Sequence, residues 1–434
     1  MENIAHTLAG FALARTGLAR RRCDTLVLVL GSNLPDADLL WSMRSRSAYL
    51  DEHRGITHSI AGGTLLGLAF AGAVWGITGP GRRALARLQR RDPGMATMAR
   101  VPGSSPNDLV RPPAEADPPF LRLAVLAVVA VLLHFGFDGL NDYGVRPFLP
   151  FGDRWVYTDL AFIVDPWFWL LLGGGLHLAM PRRAEVGSPQ EGRRIALREA
   201  VAWAGWAILS LPVLLAAPVP AVSRCLWLAG LAAIALLRFR PPRFGSRALR
   251  HRTIPGFGRR ALRPFEASPI DLRLASGALR NPLPPRVSLA LLAAYVAGLA
   301  ALHAVALERA RTAFASFPEA RGTEIAVLPT PANPLGWRAY RVAEDGILAG
   351  TIRLLDDHPR LLDTIHAPRQ LDLPEVLAAL ATPEGRTAAR FSRFLFAEVA
   401  REGGEPAVRL RDARYAWRGG RDSWATVVVA LPRP

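Results

Sequence analysis

The sequence predicts a mainly α fold: a membrane-embedded bundle of about eight helices followed by a small α+β domain. Three observations predict it. Half of the 434 residues are hydrophobic and mean hydropathy is positive, at +0.18. Several apolar stretches reach the roughly 20 residues that cross a bilayer. After residue 307 the composition changes, and no further stretch of that length occurs.

Taken in order, the clear spans are residues 59–78, 120–140, 160–180, 199–217, 221–237 and 287–307. Two weaker segments, 4–18 and 25–40, precede them. His6 and Arg15 interrupt the first, and no small-residue cleavage site follows, so it is read as a membrane segment rather than a cleaved leader. Cys23 and Cys225 both lie in apolar surroundings and indicate neither a disulfide framework nor a thiolate site.

The net charge of +17 comes from 53 basic residues, all Arg, against 36 acidic ones. Their distribution argues against nucleic-acid binding. Arg20, Arg21 and Arg22 lie between the two weak segments. The stretch 79–119 holds seven Arg against four acids, 181–198 five against two, and 238–286 twelve against two. Counted span by span, these four connections fall on one side, which the positive-inside rule makes cytoplasmic. The 238–286 loop can also touch anionic lipid headgroups. Both termini are then outside. The expected organisation is a membrane-embedded unit over 1–180, further spans over 181–307, and an outer-face α+β domain over 308–434.

In that last region 18 Arg face 16 acids. Residues 337–343 and 347–354 alternate around Glu344-Asp345-Gly346, a β-hairpin pattern. Residues 407–410 and 424–431 are further strand candidates, while 375–381 and 386–400 read as helical. The run Pro329-Thr-Pro-Ala-Asn-Pro334 lacks donors and reads as a rigid connection rather than a strand.

Four of the nine His fall in the first 134 residues. The topology brings each to the outer face beside carboxylates. His6 opens the first segment, Asp36 and Asp38 close the second, His53 and His58 precede the third, and His134 with Asp138 ends the fourth. His134 and Asp138 are four apart, so on a helix they project from one face and can share an ion. A charged side chain in lipid costs roughly 2.5–3.5 kcal/mol even on lenient scales, so Asp138 must face a partner or a cation. Imidazole nitrogen with carboxylate oxygen suits Zn²⁺, and also Mn²⁺ or Fe²⁺. A lone His on an apolar face is ordinarily a hydrogen-bonded core residue; the convergence of four His and three Asp argues for a metal.

Next comes a polar, Arg-bearing loop with Asn141, Tyr143, Arg146, Arg154, Tyr157 and Asp159. Arg suits bidentate contact with phosphate or carboxylate, so Arg54, Arg146 and Arg154 could hold an anionic substrate group. Equally, they could form ion pairs with Asp142, Asp153 or Asp159. Asp165, before Pro166, sits inside a span and needs a partner of its own.

The motifs His6-Thr-Leu-Ala-Gly10, Pro35-Asp-Ala-Asp38, His53-Arg-Gly-Ile-Thr-His-Ser59 and His134-Phe-Gly-Phe-Asp138 resemble bacterial inner-membrane metal-dependent hydrolases of the YdjM type. Asn141-Asp-Tyr-Gly-Val-Arg146, Asp153-Arg-Trp-Val-Tyr157 and Phe162-Ile-Val-Asp-Pro-Trp167 extend the resemblance over about residues 1–180. The region around Ser392-Arg-Phe394 and Asp412-Ala-Arg-Tyr-Ala-Trp417 is similar to longer members. The family is distantly similar to zinc-dependent phospholipase C and P1-type nucleases.

The resemblance implies His6, Asp36, His58, His134 and Asp138 as ligands, joined by His53 and Asp38, around one or two divalent ions, zinc first among them. The chain lacks the amino-terminal ligand residue of the soluble enzymes. Asp38 or Asp159 would then act as base or as a group orienting a ligand, and Arg54, Asn141, Tyr143, Arg146, Arg154 and Tyr157 would meet the substrate. The expected partner is a membrane lipid or an anionic, lipid-linked ester, hydrolysed at the periplasmic face of the inner membrane by a metal-activated water. A transporter and a scaffold with a purely structural metal are the competing readings.

Overall fold

The computed structural model describes residues 2–79, 118–182, 188–240, 283–318, 323–402, 405–416 and 423–431. Most of the Arg-rich stretches 79–119 and 238–286 lie outside them. The chain begins with α1 (Asn3–Leu13), α2 (Arg22–Gly31) and the short α3 (Arg46–Glu52). The bundle continues with α4 (Ile60–Thr78), α5 (Phe120–Gly139), α6 (Pro166–Leu178), α7 (Pro189–Leu215), α8 (Ala221–Phe239) and α9 (Leu283–Phe314).

Among the described residues five helices, α4, α5, α7, α8 and α9, are long and apolar enough to cross a membrane. The 19 residues of α4 rise about 28 Å at 1.5 Å each, close to the bilayer's hydrocarbon thickness. The expected number of about eight is not reached there, for local reasons. A π turn at Ala14–Leu18, with Gly17 in a left-handed conformation (φ 100°), ends α1 after 11 residues. Helix α2 has ten residues and gives way to a 3₁₀ turn, Pro35–Met43. Residues 160–165 are not helical; Asp165 caps α6 and Pro166 occupies its first turn, leaving 13 helical residues. These three shorter helices pack among the spans.

Two apolar cores hold the bundle. Val27, Leu28, Val74, Leu123 and Ala127 join α2, α4 and α5. Ala5, Phe168, Leu172, Trp206, Trp227 and Leu292 join α1 to α6–α9. The opposite faces carry exposed Leu65, Leu121, Leu211, Leu236 and Leu291, an apolar surface that water would not tolerate and lipid does.

The rest of the chain forms β1 (Glu324–Thr330), β2 (Asn333–Val342), β3 (Gly346–Arg353), β4 (Leu362–Pro368), α10 (Pro374–Leu380), α11 (Pro383–Phe391), β5 (Leu395–Glu402), β6 (Glu405–Asp412) and β7 (Val427–Ala430). Two antiparallel sheets result, ordered β1-β2-β3-β4 and β5-β6-β7. The alternating hairpin is present as β2–β3, with Val342 opposite Ile347. Two expectations are corrected. Residues 386–400 are not one helix: α11 stops at Phe391, and 395–402 pairs with β6 as a strand. Pro329 lies within β1, and Asn333 and Pro334 begin β2; β1 is an edge strand, where a missing donor is tolerated.

Helix α9 runs without interruption past residue 307 to Phe314, and its tail (Ala306, Ala310, Phe314) packs on Trp337, Leu348 and Ile352 of the first sheet. Leu50 of α3 and Tyr143 enter the core of the second unit beside Val376, Phe391, Val408 and Leu410. The C-terminal domain is therefore packed directly on the segments that flank the His/Asp residues.

Candidate metal centre

The centre is assembled from four chain segments whose ends meet. Glu2 caps α1 through its carboxylate, which sets His6 one turn in. At Gly10 an added Cβ would lie 2.6 Å from Leu28 O and Ser32 Oγ, so its missing side chain lets α1 approach α2. Ser32 Oγ can then donate to His6 O (2.9 Å). The 3₁₀ turn opened by Pro35 carries Asp36 and Asp38. The segment between α3 and α4 carries His53, Arg54 and His58. Arg54 has φ 56°, a left-handed conformation that costs a non-glycine residue about 1–3 kcal/mol. The surroundings hold it there: its N–H donates to Asp38 Oδ2 at 2.9 Å.

Asp36, His58, His134 and Asp138 each offer one ligand atom, all within 4.8 Å of one another. The separations are 3.0 Å for His58 Nε2–His134 Nε2, 3.3 and 3.5 Å from these nitrogens to Asp138 Oδ2, and 3.5 and 3.6 Å to Asp36 Oδ1. A tetrahedron with metal–ligand bonds of about 2.0–2.2 Å has edges of about 3.3–3.6 Å. Four of these five separations fall there, and the fifth is 0.3 Å shorter.

The hydrogen bonds behind the imidazoles fix where their lone pairs point. His134 Nδ1 lies 2.9 Å from Ser32 O, which only accepts, so this nitrogen carries the proton and Nε2 is left as a donor to a cation. His58 Nδ1 lies 3.0 Å from Asp38 Oδ2, which makes the same assignment for His58. A carboxylate or carbonyl behind a ligating His is the usual means of setting its tautomer. Two lone pairs facing each other at 3.0 Å among carboxylates repel unless positive charge lies between them. Burial lowers the pKa of His58, but hydrogen bonds to Asp138, Asp36 and Asp38 outweigh it and push it up to about 10. Burial raises Asp38, yet His53 and His58 hold it below the ordinary carboxylate range. The field at this point favours a cation.

The remaining expected residues surround this group. His6 stacks on His134 (centroids 3.8 Å) with Nε2 3.4 Å from Asp138 Oδ1, and neither of its ring nitrogens has a well-aligned hydrogen bond. His53 lies outside the group and pairs with Asp38 Oδ1 at 2.9 Å. Asp38 also accepts from Thr57 Oγ1, so its oxygens are committed to orienting other residues. Arg54 is buried; Nε lies 3.2 Å from Asp138 Oδ2, and Nη1 donates to Asn141 Oδ1 and Gly144 O, both at 2.9 Å. Its guanidinium covers the Tyr143 ring at 4.4 Å. Arg146 donates to Asp51 O (2.7 Å) and Asp153 Oδ1 (3.1 Å). Arg154 is exposed. Tyr157 packs against Gly144, whose φ of 86° and 2.4 Å clearance leave no room for a Cβ.

Asp159 is not brought to the group. Both its oxygens accept from Arg393 Nη1 at 2.8 Å. Arg414 donates to Asp142 O at 2.7 Å while paired with Asp412 at 2.8 Å. Sequence reasoning missed Arg393, Arg414 and Ser32 as supports. The two Arg lie in the motifs Ser392-Arg-Phe394 and Asp412-Ala-Arg-Tyr-Ala-Trp417, but nothing local ties them to the centre.

The model of the YdjM inner membrane protein family matches residues 1–221, just over half of the chain. The chain belongs to this family. The matched region contains every residue of the His/Asp group and its flanking loop, and it ends before the C-terminal domain. An uncharacterised protein, YfhP of Bacillus subtilis (strain 168), is 26% identical over 145 residues. That stretch is 33% of this chain and 33% of the relative, so the match spans about a third of the relative's length. No solved structure matches the chain. What family and geometry establish together is a membrane protein with a buried Asp/His cluster that can bind a metal ion.

Proposed function

We propose that this protein is a metal-dependent hydrolase acting on a phosphoester or other ester of a lipid or lipid-linked substrate, at the periplasmic face of the inner membrane. The observation that carries the reading is the convergence of one ligand atom each from Asp36, His58, His134 and Asp138, all within 4.8 Å of one another, with an acceptor behind Nδ1 of both imidazoles. Zinc suits this mixed nitrogen and oxygen set. When bound, such an ion lowers the pKa of a coordinated water towards neutrality and polarises the scissile bond.

The chain's own residues supply the rest. Asp38 and Ser32 O hold His58 and His134 in the ligating tautomer. Arg54 lies against Asp138 and offsets its charge. Arg154, exposed on the loop, is the Arg proposed to meet an anionic substrate group. The Arg excess of the alternate connections supports an outward-facing site.

A structural metal is the second reading, because four protein donors can close a tetrahedral site. His6 argues for the catalytic one. It adds a fifth donor beside the second oxygen of Asp138, more than a closed tetrahedron needs, and this allows an expanded coordination or a second ion. The test is metal analysis of the purified protein, its absorption-edge coordination number, and phosphodiester and lipid-ester hydrolysis with and without chelator. Stoichiometric metal with chelator-sensitive hydrolysis is expected. A four-ligand shell without water, and no hydrolysis, would favour the structural reading.

A further inference from the structure

A cavity of about 1450 Å³ lies between the spans and the first sheet, and none of the four candidate ligands lines it. Pockets for drug-sized molecules reach about 300–1,000 Å³, so this one suits a larger guest. Its lower part is apolar. Leu170 of α6, Leu226 of α8 and Leu291 of α9 line it; the last two are 55% and 51% exposed. All three belong to helices of the membrane bundle.

The upper part is polar and geometrically ordered. Arg338 of β2 pairs with Thr351 of β3, and Arg353 pairs with Gly336 in the same register. Residues two apart on a strand share a face, so Arg338, Thr351 and Arg353 present one surface, and all three line the cavity. Arg353 is exposed and has no ion pair among the described residues. Ser223 Oγ donates to Ala332 O at 2.7 Å, which fastens the β1–β2 turn to α8 above the trough.

We propose that this cavity holds one aminophospholipid from the surrounding bilayer. Its acyl chain runs along α6 between α8 and α9, and its phosphate meets Arg338, Thr351 and Arg353, a donor set suited to that group. Asp356 and Asp363 line the same cavity. They repel a purely anionic headgroup and attract an amine carried beyond the phosphate, which selects an ethanolamine lipid over a glycerol one. The site stands independently of any hydrolysis at the metal centre.

The test is native mass spectrometry of the full-length protein in detergent with equimolar phosphatidylethanolamine and phosphatidylglycerol. One tightly retained phosphatidylethanolamine per chain is expected. Arg353→Glu, at an exposed position, should lower its occupancy about tenfold, the worth of one charge-assisted hydrogen bond, and Leu226→Trp, which fills the trough, should lower it as well. Arg386→Glu on α11 should leave it unchanged, and unchanged thermal unfolding of the variants would exclude loss of fold. Equal retention of both lipids, or full retention by both groove variants, would make the bound molecule ordinary annular lipid and overturn the proposal.

Discussion

Two buried polar clusters built around histidine occupy the bundle, one with a single His and one with several, and they are built on opposite principles. In the one at the end of α6, Trp206 Nε1 donates to His177 Nδ1 (3.0 Å) and His177 Nε2 meets Glu199 Oε1 (2.8 Å). Glu199 Oε2 accepts from Arg238 Nη2 (2.7 Å) and Nε (2.9 Å), and Arg238 Nη1 and Nη2 also donate to Met180 O and Pro181 O. Every ring nitrogen there has one complementary partner, so the cluster is a clasp joining α6, α7 and α8. At the metal centre, His58 and His134 each have an acceptor behind Nδ1, and their Nε2 atoms converge on each other and on two carboxylates. What separates the two clusters is which lone pairs are left over.

The sharpest break of this comparison is a matched pair of alanine variants. His58→Ala or His134→Ala should take bound metal from stoichiometric to background, while His177→Ala should leave it intact. Elemental analysis after size exclusion reads the difference directly, and retained metal in His134→Ala would sink the centre as drawn. The clasp answers through stability. Glu199→Gln leaves the buried Arg238 uncompensated, a class of change that costs about 3 kcal/mol, so thermal unfolding should shift markedly with metal content unchanged. Smaller still is Asp38→Asn, which keeps all four ligands but weakens the support of His58. Loss of such an outer hydrogen bond typically costs 10–100-fold in metal affinity, and competition with a chelator of known strength would measure it. An unchanged affinity would mean that Asp38 does not set the His58 tautomer.

How much of this is legible in the sequence depends on how far apart the partners are. His134 and Asp138 share a helix face through a four-residue spacing, so that pair can be read from the sequence alone; the Arg counts gather four His and three Asp without saying which of them join it. The β2–β3 hairpin is legible because alternation brackets Glu344-Asp345-Gly346. Backbone supports are not: Ser32 O becomes available to His134 only because α2 ends there. Residues 386–400 mislead because Ala and Arg favour helix, whereas β5 exists through its pairing with β6. Arg54 is legible as a functional Arg but not in its role, since its contacts with Asp138 and Gly144 span 84 and 90 residues.

The subtlest effect is expected where the C-terminal domain grips the loop beside the centre, 234 residues away in sequence. Burial raises the pKa of Asp159, and Arg393 opposes that rise. A carboxyl raised in the folded state binds its proton more tightly there than in the unfolded chain. Its contribution to stability is therefore complete below the unfolded pKa and is lost as pH rises through the folded one. Arg393→Gln removes the opposing charge, so the folded pKa should climb further. The variant should lose about 1.5–3 kcal/mol at neutral pH, and that loss should shrink as the pH falls and Asp159 becomes protonated. Thermal unfolding of both proteins at neutral and mildly acidic pH gives the comparison. A penalty independent of pH would mean that Arg393 acts by packing over Tyr157, 4.3 Å away, and not through the charge of Asp159. If metal affinity stays within about tenfold of wild type throughout, below the upper end of what a lost outer hydrogen bond costs, the C-terminal domain steadies the loop without building the centre.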